Sequence, residues 1–355
     1  MEDTENKAKL FFQEQEIPDF LVVSGNKTGW RCRVKLAVRQ VGDDFVIGLF
    51  QEGSHDIVPV GKCPAHHPRI NEALERLQEF FLEEGVTAYD ESAQKGEVRY
   101  LQCVVERRTG QVQVSIVLHT PYSRAWEERL KKLFQRDIFL WHSFWINVQQ
   151  KPTNTIFGPE WHHVVGKKFV WESICRREIP FLPSHFGQAN LEMFERLLED
   201  MQEIIPRDQA VAELFSGMGI ISIILRPMCR SITLYEVEPS AQNSFQELLQ
   251  RLPITLQTGC EFVVGDANAA HEVCERATAI IVDPPRKGLS EGILKTIVLQ
   301  KNIQYLLYIS CCWKTFERDA RMLLDGGFNV AWACSYIFFP GTDHLETMCL
   351  FRRCS

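Results

Sequence analysis

No stretch of this sequence approaches the roughly 18–20 uninterrupted apolar residues that a membrane span requires, so no membrane role is expected. The opening residues, Met1-Glu2-Asp3-Thr4-Glu5, are acidic and lack an apolar stretch. Neither a secretory signal nor an arginine-rich transit peptide is therefore expected, and the plain expectation is a cytoplasmic protein. The 12 cysteines are scattered, without the dense framework of a small secreted domain. Several, such as Cys103, Cys334 and Cys349, lie inside apolar strand-like runs and are expected to pack as reduced small hydrophobes. Positive charge does not predominate. A net charge of -7 argues against coating nucleic acid by bulk electrostatics, though it leaves room for a structured nucleic acid held by a local basic patch.

What is present is ordinary globular composition, 45% hydrophobic and 24% charged, over a length that favours two domains. Residues 1–27 read as a weakly structured lead-in. From 28 to 150 the pattern is strand-rich, with alternation over Arg31–Val38 and Gln111–Leu118. Apolar residues at helical spacing, Ile70, Ala73, Leu74, Leu77, Phe80 and Phe81, predict an amphipathic helix over Pro68–Glu84, and a second helix is expected over Ser123–Phe134. This half is expected to be an α+β domain. Residues 151–185, rich in Gly, Pro and polar residues around a short Phe169-Val170-Trp171 strand, read as a linker. No internal repeat is visible.

From 186 to 355 the rhythm changes. After a helix at Asn190–Gln202, short apolar runs recur at 210–215, 231–237, 261–264, 278–282 and 304–309, separated by helix-length segments. That alternation predicts an α/β, Rossmann-like, mostly parallel sheet. The runs at 328–338 and 346–352 are joined only by a loop and predict an antiparallel pair, the class I methyltransferase pattern. The first run ends in Glu213-Leu214-Phe215-Ser216-Gly217-Met218-Gly219, where glycines let the backbone approach a ligand. Ser222 stands where a dinucleotide fold would place its third glycine. The next strand ends in Glu236, a carboxylate able to accept ribose hydroxyls. Asp266 ends the third strand and Asp283 the fourth, so four acids, Glu213 included, are expected to face one crevice. The absence of a phosphate-binding lysine favours S-adenosylmethionine over a nucleotide.

The fifth strand ends in Ser310-Cys311-Cys312-Trp313, which places a thiol at the strand tip beside that crevice. Carbon 5 of uracil is a poor nucleophile, and a thiolate added at carbon 6 turns the ring into an enolate reactive at carbon 5. A base must then remove the carbon-5 proton. Glu346, opening the last strand after His344, is the candidate, with an ordinary solvated strand start as the alternative.

Together these motifs resemble the RNA 5-methyluridine methyltransferase family, from about Gly29 to Leu350. The resemblance rests on Phe186-Gly187-Gln188-Ala189-Asn190, Asp283-Pro284-Pro285-Arg286-Lys287-Gly288-Leu289, Ser310-Cys311, Thr315 with Arg318-Asp319, and Phe339-Pro340 with His344 and Glu346. It implies a seven-stranded class I methyltransferase sheet preceded by a smaller α+β RNA-binding central domain. It also implies Cys311 as nucleophile and Glu346 as proton acceptor. Gln188, Phe215, Gly217, Ile220, Glu236 and Asp283 are the implied S-adenosylmethionine contacts. Arg31, Arg33 and Lys35 resemble the family's basic RNA-holding strand, with Arg107, Arg108, Lys167, Lys168, Arg176 and Arg177 as further candidate phosphate contacts. The implied substrate is transfer or ribosomal RNA, acted on by a monomer.

The chain departs from the family in three places. Cys312-Trp313 replaces the usual Asn-Pro after the nucleophile, and on an extended segment only one of the two thiols is expected to face the crevice. The N-terminal RNA-binding barrel of many members is not expected. Cys63 matches one ligand of the iron–sulfur cluster that some members carry, but no upstream trio accompanies it, so no cluster and no metal are expected. Cys63 with His66 and His67 likewise lacks a paired zinc half-site. Three other readings stay open. Exocyclic-amine methylation would want an aromatic residue where Arg286 stands, and RNA cytosine-C5 methylation a second cysteine where Pro284-Pro285 stand. The third is a methyltransferase-fold RNA-binding protein without turnover.

Overall fold

The computed structural model describes residues 2–42 and 44–354. The chain opens with helix α1 (Glu2–Glu14) and strand β1 (Leu21–Ser24). It continues with β2 (Arg33–Val41), β3 (Asp44–Phe50), β4 (Ile57–Pro59), α2 (Pro68–Glu83), β5 (Val98–Val105), β6 (Val112–Leu118), α3 (Arg124–Arg136) and β7 (Trp141–Val148). Then come β8 (Glu160–Gly166), β9 (Val170–Ile174), β10 (Arg177–Phe181), α4 (Leu191–Ile204), β11 (Ala210–Leu214), α5 (Ile220–Leu225), β12 (Ser231–Glu236), α6 (Pro239–Leu249) and α7 (Ile254–Gln257). The last elements are β13 (Cys260–Val264), α8 (His271–Arg276), β14 (Ala279–Val282), α9 (Glu291–Leu299), β15 (Tyr305–Ser310), α10 (Trp313–Asp325), β16 (Phe328–Ile337) and β17 (Glu346–Arg353). Two compact units result. The larger comprises residues Met1–Gly25, Ile174–Arg177 and Glu192–Ser355, and the smaller Asn26–Ser173 and Glu178–Leu191.

The smaller unit is a seven-stranded sheet in the order β4-β3-β2-β5-β6-β7-β8. All pairs are antiparallel except β6–β7, which run parallel because α3 supplies the crossover between them. The predicted stripe of α2 (Ile70, Ala73, Leu74, Leu77, Phe80 and Phe81) is buried against one sheet face, where Trp126, Leu130 and Leu133 of α3 join it. Ser123 caps α3 by accepting from the Trp126 amide. The expected linker is part of this fold. β8 is the edge strand paired with β7, and β9 and β10 pair as a hairpin. Its turn-rich composition belongs to the loops, whereas Val164, Val170, Ile174 and Ile179 are buried.

The larger unit is an eight-stranded sheet in the order β1-β16-β17-β15-β14-β11-β12-β13. Only β17 runs against its neighbours, in the predicted antiparallel pairing. The expected lead-in is instead α1 and β1, and β1 adds an eighth strand beside β16 to the seven expected. α1 folds because Ala8, Phe11 and Phe12 form one short helical stripe, buried against Trp313 and Phe316 of α10. Charged residues fill the rest of α1 and hide that stripe in the sequence. From β11, the chain winds outward through β12 and β13 on one side and through β14 and β15 on the other. A crevice therefore opens beyond the carboxyl ends of β11 and β14, where ligands bind in sheets of this kind.

A candidate active site at the strand ends

The turn from β11 into α5 is held by backbone geometry. Phe215 (φ 61°), Gly217 (φ 53°) and Gly219 (φ 81°) all adopt the left-handed region. For Phe215 this costs on the order of 1–3 kcal/mol, strain of the kind that collects at functional sites. A Cβ at Gly219 would lie 2.5 Å from Leu234 Cδ2 and 2.7 Å from Phe245 Cδ2, so α5 starts close against β12 and α6. At Gly217 a Cβ would meet open space. The Gly217 amide donates to Glu236 Oε2 at 2.9 Å, and the Glu238 amide to Oε1 at 3.0 Å. These bonds fix the Glu236 carboxylate at the tip of β12 while each oxygen keeps a further lone pair. The Ser216 hydroxyl is buried in the same turn without a protein partner. Ile220 begins α5, half-buried beside it.

Of the four acids expected to face the crevice, two are used within the fold. The Glu213 carboxyl is buried and takes the Ser222 hydroxyl; burial pushes it up to about 8. Asp266 caps its own turn, accepting from the Asn268 amide at 2.8 Å and from its side-chain nitrogen at 2.7 Å. Glu236 and Asp283 remain as crevice acids.

The register of the sheet assembles the second half of the site. Ser310 pairs with Thr347 across the antiparallel β15–β17 ladder, so one further step sets Cys311 beside Glu346. Val282 pairs with Tyr308 in the parallel β14–β15 ladder, which brings Asp283 to the same end. Glu346 is 8% exposed. Burial, and then the nearby Asp283 charge, push its carboxyl well above the ordinary range, and burial does the same to Asp283. Burial, reinforced by Glu346 and Asp283, raises the Cys311 thiol to about 11, with Arg286 opposing.

Both cysteines line one cleft of about 270 Å³, together with Arg286, Lys314, His344 and residues of α1. The expectation was that only one thiol would face it. Cys312 is extended (φ -140°, ψ 104°) and precedes α10, which begins at Trp313, and both cysteines border the cleft. Burial raises the Cys312 thiol, but hydrogen bonding from Thr315 and the Thr315 and Lys314 amides brings it below its ordinary value. The Asp283–Leu289 loop is anchored on α10. Asp319 accepts from the Leu289 amide at 2.8 Å and from the Tyr308 hydroxyl at 2.7 Å, and Arg318 donates to the Leu289 and Lys287 carbonyls. Thr315 donates to the Arg286 carbonyl at 3.0 Å. Arg286 then reaches His344 Nε2 at 3.3 Å across the cleft.

A crevice shaped by backbone turns, with a thiol next to buried carboxyls at the same strand ends, agrees with comparison to known proteins. The sequence model described as tRNA (uracil-5-)-methyltransferase matches residues 1–251 and 273–354. The chain belongs to this family. A protein of Protochlamydia amoebophila described as an uncharacterized RNA methyltransferase is 38% identical over 335 residues, covering 93% of this chain and 87% of that protein. Another so described, from Halalkalibacterium halodurans, is 27% identical, covering 97% and 79%. The crystal structure of Pyrococcus abyssi tRNA (uracil-54, C5)-methyltransferase with S-adenosyl-L-homocysteine superimposes with a TM-score of 0.79 at 23% identity, covering 98% of this chain and 82% of that one. The fold is thus the class I methyltransferase fold preceded by a β-rich domain, and the chain is an RNA methyltransferase.

The remaining candidate positions lie in the smaller unit, except Arg176 and Arg177, which belong to the larger one. Gln188 lines a small recess there with Arg33 and Glu172, and Arg33 packs so closely that a Cβ on Gly187 would meet its Nη2 at 3.0 Å. Arg33 does not point to solvent as a phosphate contact would. It is 9% exposed, donates to the His185 carbonyl at 3.3 Å, and burial lowers it to about 10. Arg107 is likewise engaged, with Glu172 at 2.7 Å. Arg31 is half-buried, its guanidinium 4.8 Å from the Trp30 ring, while Lys35 is exposed with its ammonium 4.7 Å from the Phe157 ring. Arg108, Lys167, Lys168 and Arg176 are exposed. Among the described residues no three His, Cys, Asp or Glu side chains gather as a metal-binding group, and no helix is long and apolar enough to cross a membrane. Thr4 and Lys7 at the cleft went unread in the sequence, since only the fold of α1 brings them there.

Proposed function

We propose that this chain methylates carbon 5 of a uridine in transfer or ribosomal RNA, with Cys311 as nucleophile, Glu346 as proton acceptor and S-adenosylmethionine as methyl donor. The observation that carries the reading is the β15–β17 register, which sets Cys311 beside Glu346 at the end of the strand neighbouring Asp283. The turn residues fit the donor. Glu236 offers carboxylate lone pairs to ribose hydroxyls, Gly217 leaves open space, and the partnerless Ser216 hydroxyl awaits a polar group. Bound there, S-adenosylmethionine supplies an electrophilic methyl group. Phe215, Ile220 and Asp283 would complete the contacts from the crevice wall.

The chain's own residues account for the protons. The Cys311 thiol yields its proton to solvent, leaving Glu346 ionised, and the thiolate bonds to carbon 6 as the ring electrons move to oxygen 4. When those electrons return, carbon 5 bonds to the methyl group. Glu346 then takes the carbon-5 proton, the double bond re-forms, and the thiolate departs to regain a proton. Glu346, already raised by burial and by Asp283, is well matched to hold a proton near neutral pH. The target base must leave its stack to reach both groups.

Nucleoside mass spectrometry of unmodified transfer and ribosomal RNA treated with the protein and donor tests the product; absence of 5-methyluridine from both would overturn the reading. Glu346→Gln is expected to accumulate a protein–RNA adduct that survives denaturing electrophoresis, and Cys311→Ala to form none. An adduct persisting in Cys311→Ala would move the nucleophile elsewhere.

A further inference from the structure

The departure at Trp313 and the unexpected helix α1 are parts of one arrangement. Phe11 and Phe12 meet the Trp313 ring edge-on at 5.7 and 5.9 Å, and Phe11 also carries the Arg321 guanidinium 5.3 Å from its ring. Trp313 is the first residue of α10, directly after the two cysteines, so the helix is anchored on the segment that positions the thiol. Thr4, Lys7 and Phe11 recur at helical spacing along one side of α1. Because Phe11 is fixed inward, Thr4 and Lys7 fall on the wall of the Cys311 cleft, where they join Arg286 and Lys314. Lys7 is 58% exposed, and its one ion pair among the described residues is with exposed Asp3, at 2.7 Å one turn back. An exposed i,i+4 pair of this kind is weak and exchanges readily for a stronger anion.

We infer that α1 is a substrate-contact element in which Lys7, with Lys314 and Arg286, binds a phosphate of the RNA backbone next to the uridine held over Cys311. This rests on the function proposed above. A nucleotide turned out of its stack brings its flanking phosphates to the rim of the cleft that receives the base, and these cations sit on that rim. On the smaller unit's β2 strand Arg33 is buried and so is not available to a phosphate.

The test measures binding of an unmodified, uridine-containing RNA without turnover, between about 50 and 200 mM salt, with 5-methyluridine formation scored separately. Lys7→Glu is expected to raise the Kd and KM for RNA at least roughly fivefold. It should reduce the slope of log K against log salt by about one, with little change in kcat. Lys9→Glu is the control, since Lys9 pairs with Glu5 on the same helix and does not line the cleft; it should leave all three unchanged. An unchanged salt slope in Lys7→Glu, or an equal effect in Lys9→Glu, would overturn the inference. Lys7-dependent RNA binding without 5-methyluridine would instead overturn the proposed reaction and leave the phosphate contact standing.

Discussion

On the β11–β12 side of the crevice, position is set by backbone. Three left-handed residues shape the turn, two amides fix the Glu236 carboxylate, and a glycine lets α5 start against β12. On the β14–β15 side, position is set by strand register and by ionisable groups that burial holds away from their ordinary behaviour: Asp283, Glu346 and Cys311. The first arrangement suits recognition of an unreactive nucleoside, which needs fixed acceptors and space. The second suits proton movement, which needs groups whose charge is costly and so easily exchanged. In the proposed reaction one side of the crevice holds and the other reacts, and the two sides should respond to different perturbations.

The reacting side should be the more sensitive to pH. As the proposed acceptor of the carbon-5 proton Glu346 must be ionised, and its raised pKa moves that ionisation upward. Log kcat/KM, which reports the free enzyme, should therefore climb with pH through neutrality, with at least about a tenfold loss per unit on the acid side. The thiol at about 11 adds to the same rise, because the thiolate fraction also grows with pH. Asp283→Asn removes one of the charges that raises both groups, so the acid limb should move to lower pH. A flat profile from acid to alkaline would break the contrast between the two sides. The holding side is probed by Glu236→Ala, which removes the acceptor for ribose hydroxyls. Affinity for S-adenosylmethionine, measured by calorimetry, should fall about 10- to 100-fold, while RNA binding remains. An unchanged cofactor affinity would place the donor elsewhere in the crevice.

The sequence reveals these two sides unequally, for physical reasons. Parallel strands buried on both faces read as apolar runs, and the first polar residue after each run marks its carboxyl end. Glu236, Asp283 and Cys311 were legible in that way, and the antiparallel last pair made Glu346 legible as their neighbour. Side-chain direction was not. Glu213 turns inward because Ser222, on the following helix, offers a hydroxyl. Asp266 turns back because Asn268 follows it in a tight turn. Arg33 is buried by His185 and Phe181, which meet it only in the folded unit. Helix α1 was hidden because its buried stripe is three residues long and its partners, Trp313 and Phe316, lie at the far end of the chain.

The smallest expected effect decides between the neighbouring thiols. Cys312 has the lower-lying thiol, since the opening turn of α10 stabilises its charge, whereas Cys311 is held up by burial and then by two carboxyls. By acidity alone Cys312 would be the nucleophile. Geometry opposes that choice. Cys312 is spent on starting α10, with its carbonyl accepting from the Phe316 amide at 3.0 Å, while Cys311 continues the register that ends at Glu346. A nucleophile also needs its base within reach of carbon 5 once sulfur is on carbon 6, and Glu346 meets that condition for Cys311. A raised thiol pKa also makes the thiolate, once formed, the more nucleophilic sulfur. Cys312→Ala should therefore still form the adduct in a Glu346→Gln background and keep turnover within about threefold of the parent. Loss of the adduct in Cys312→Ala, with Cys311 intact, would transfer the reaction to the helix-capping thiol.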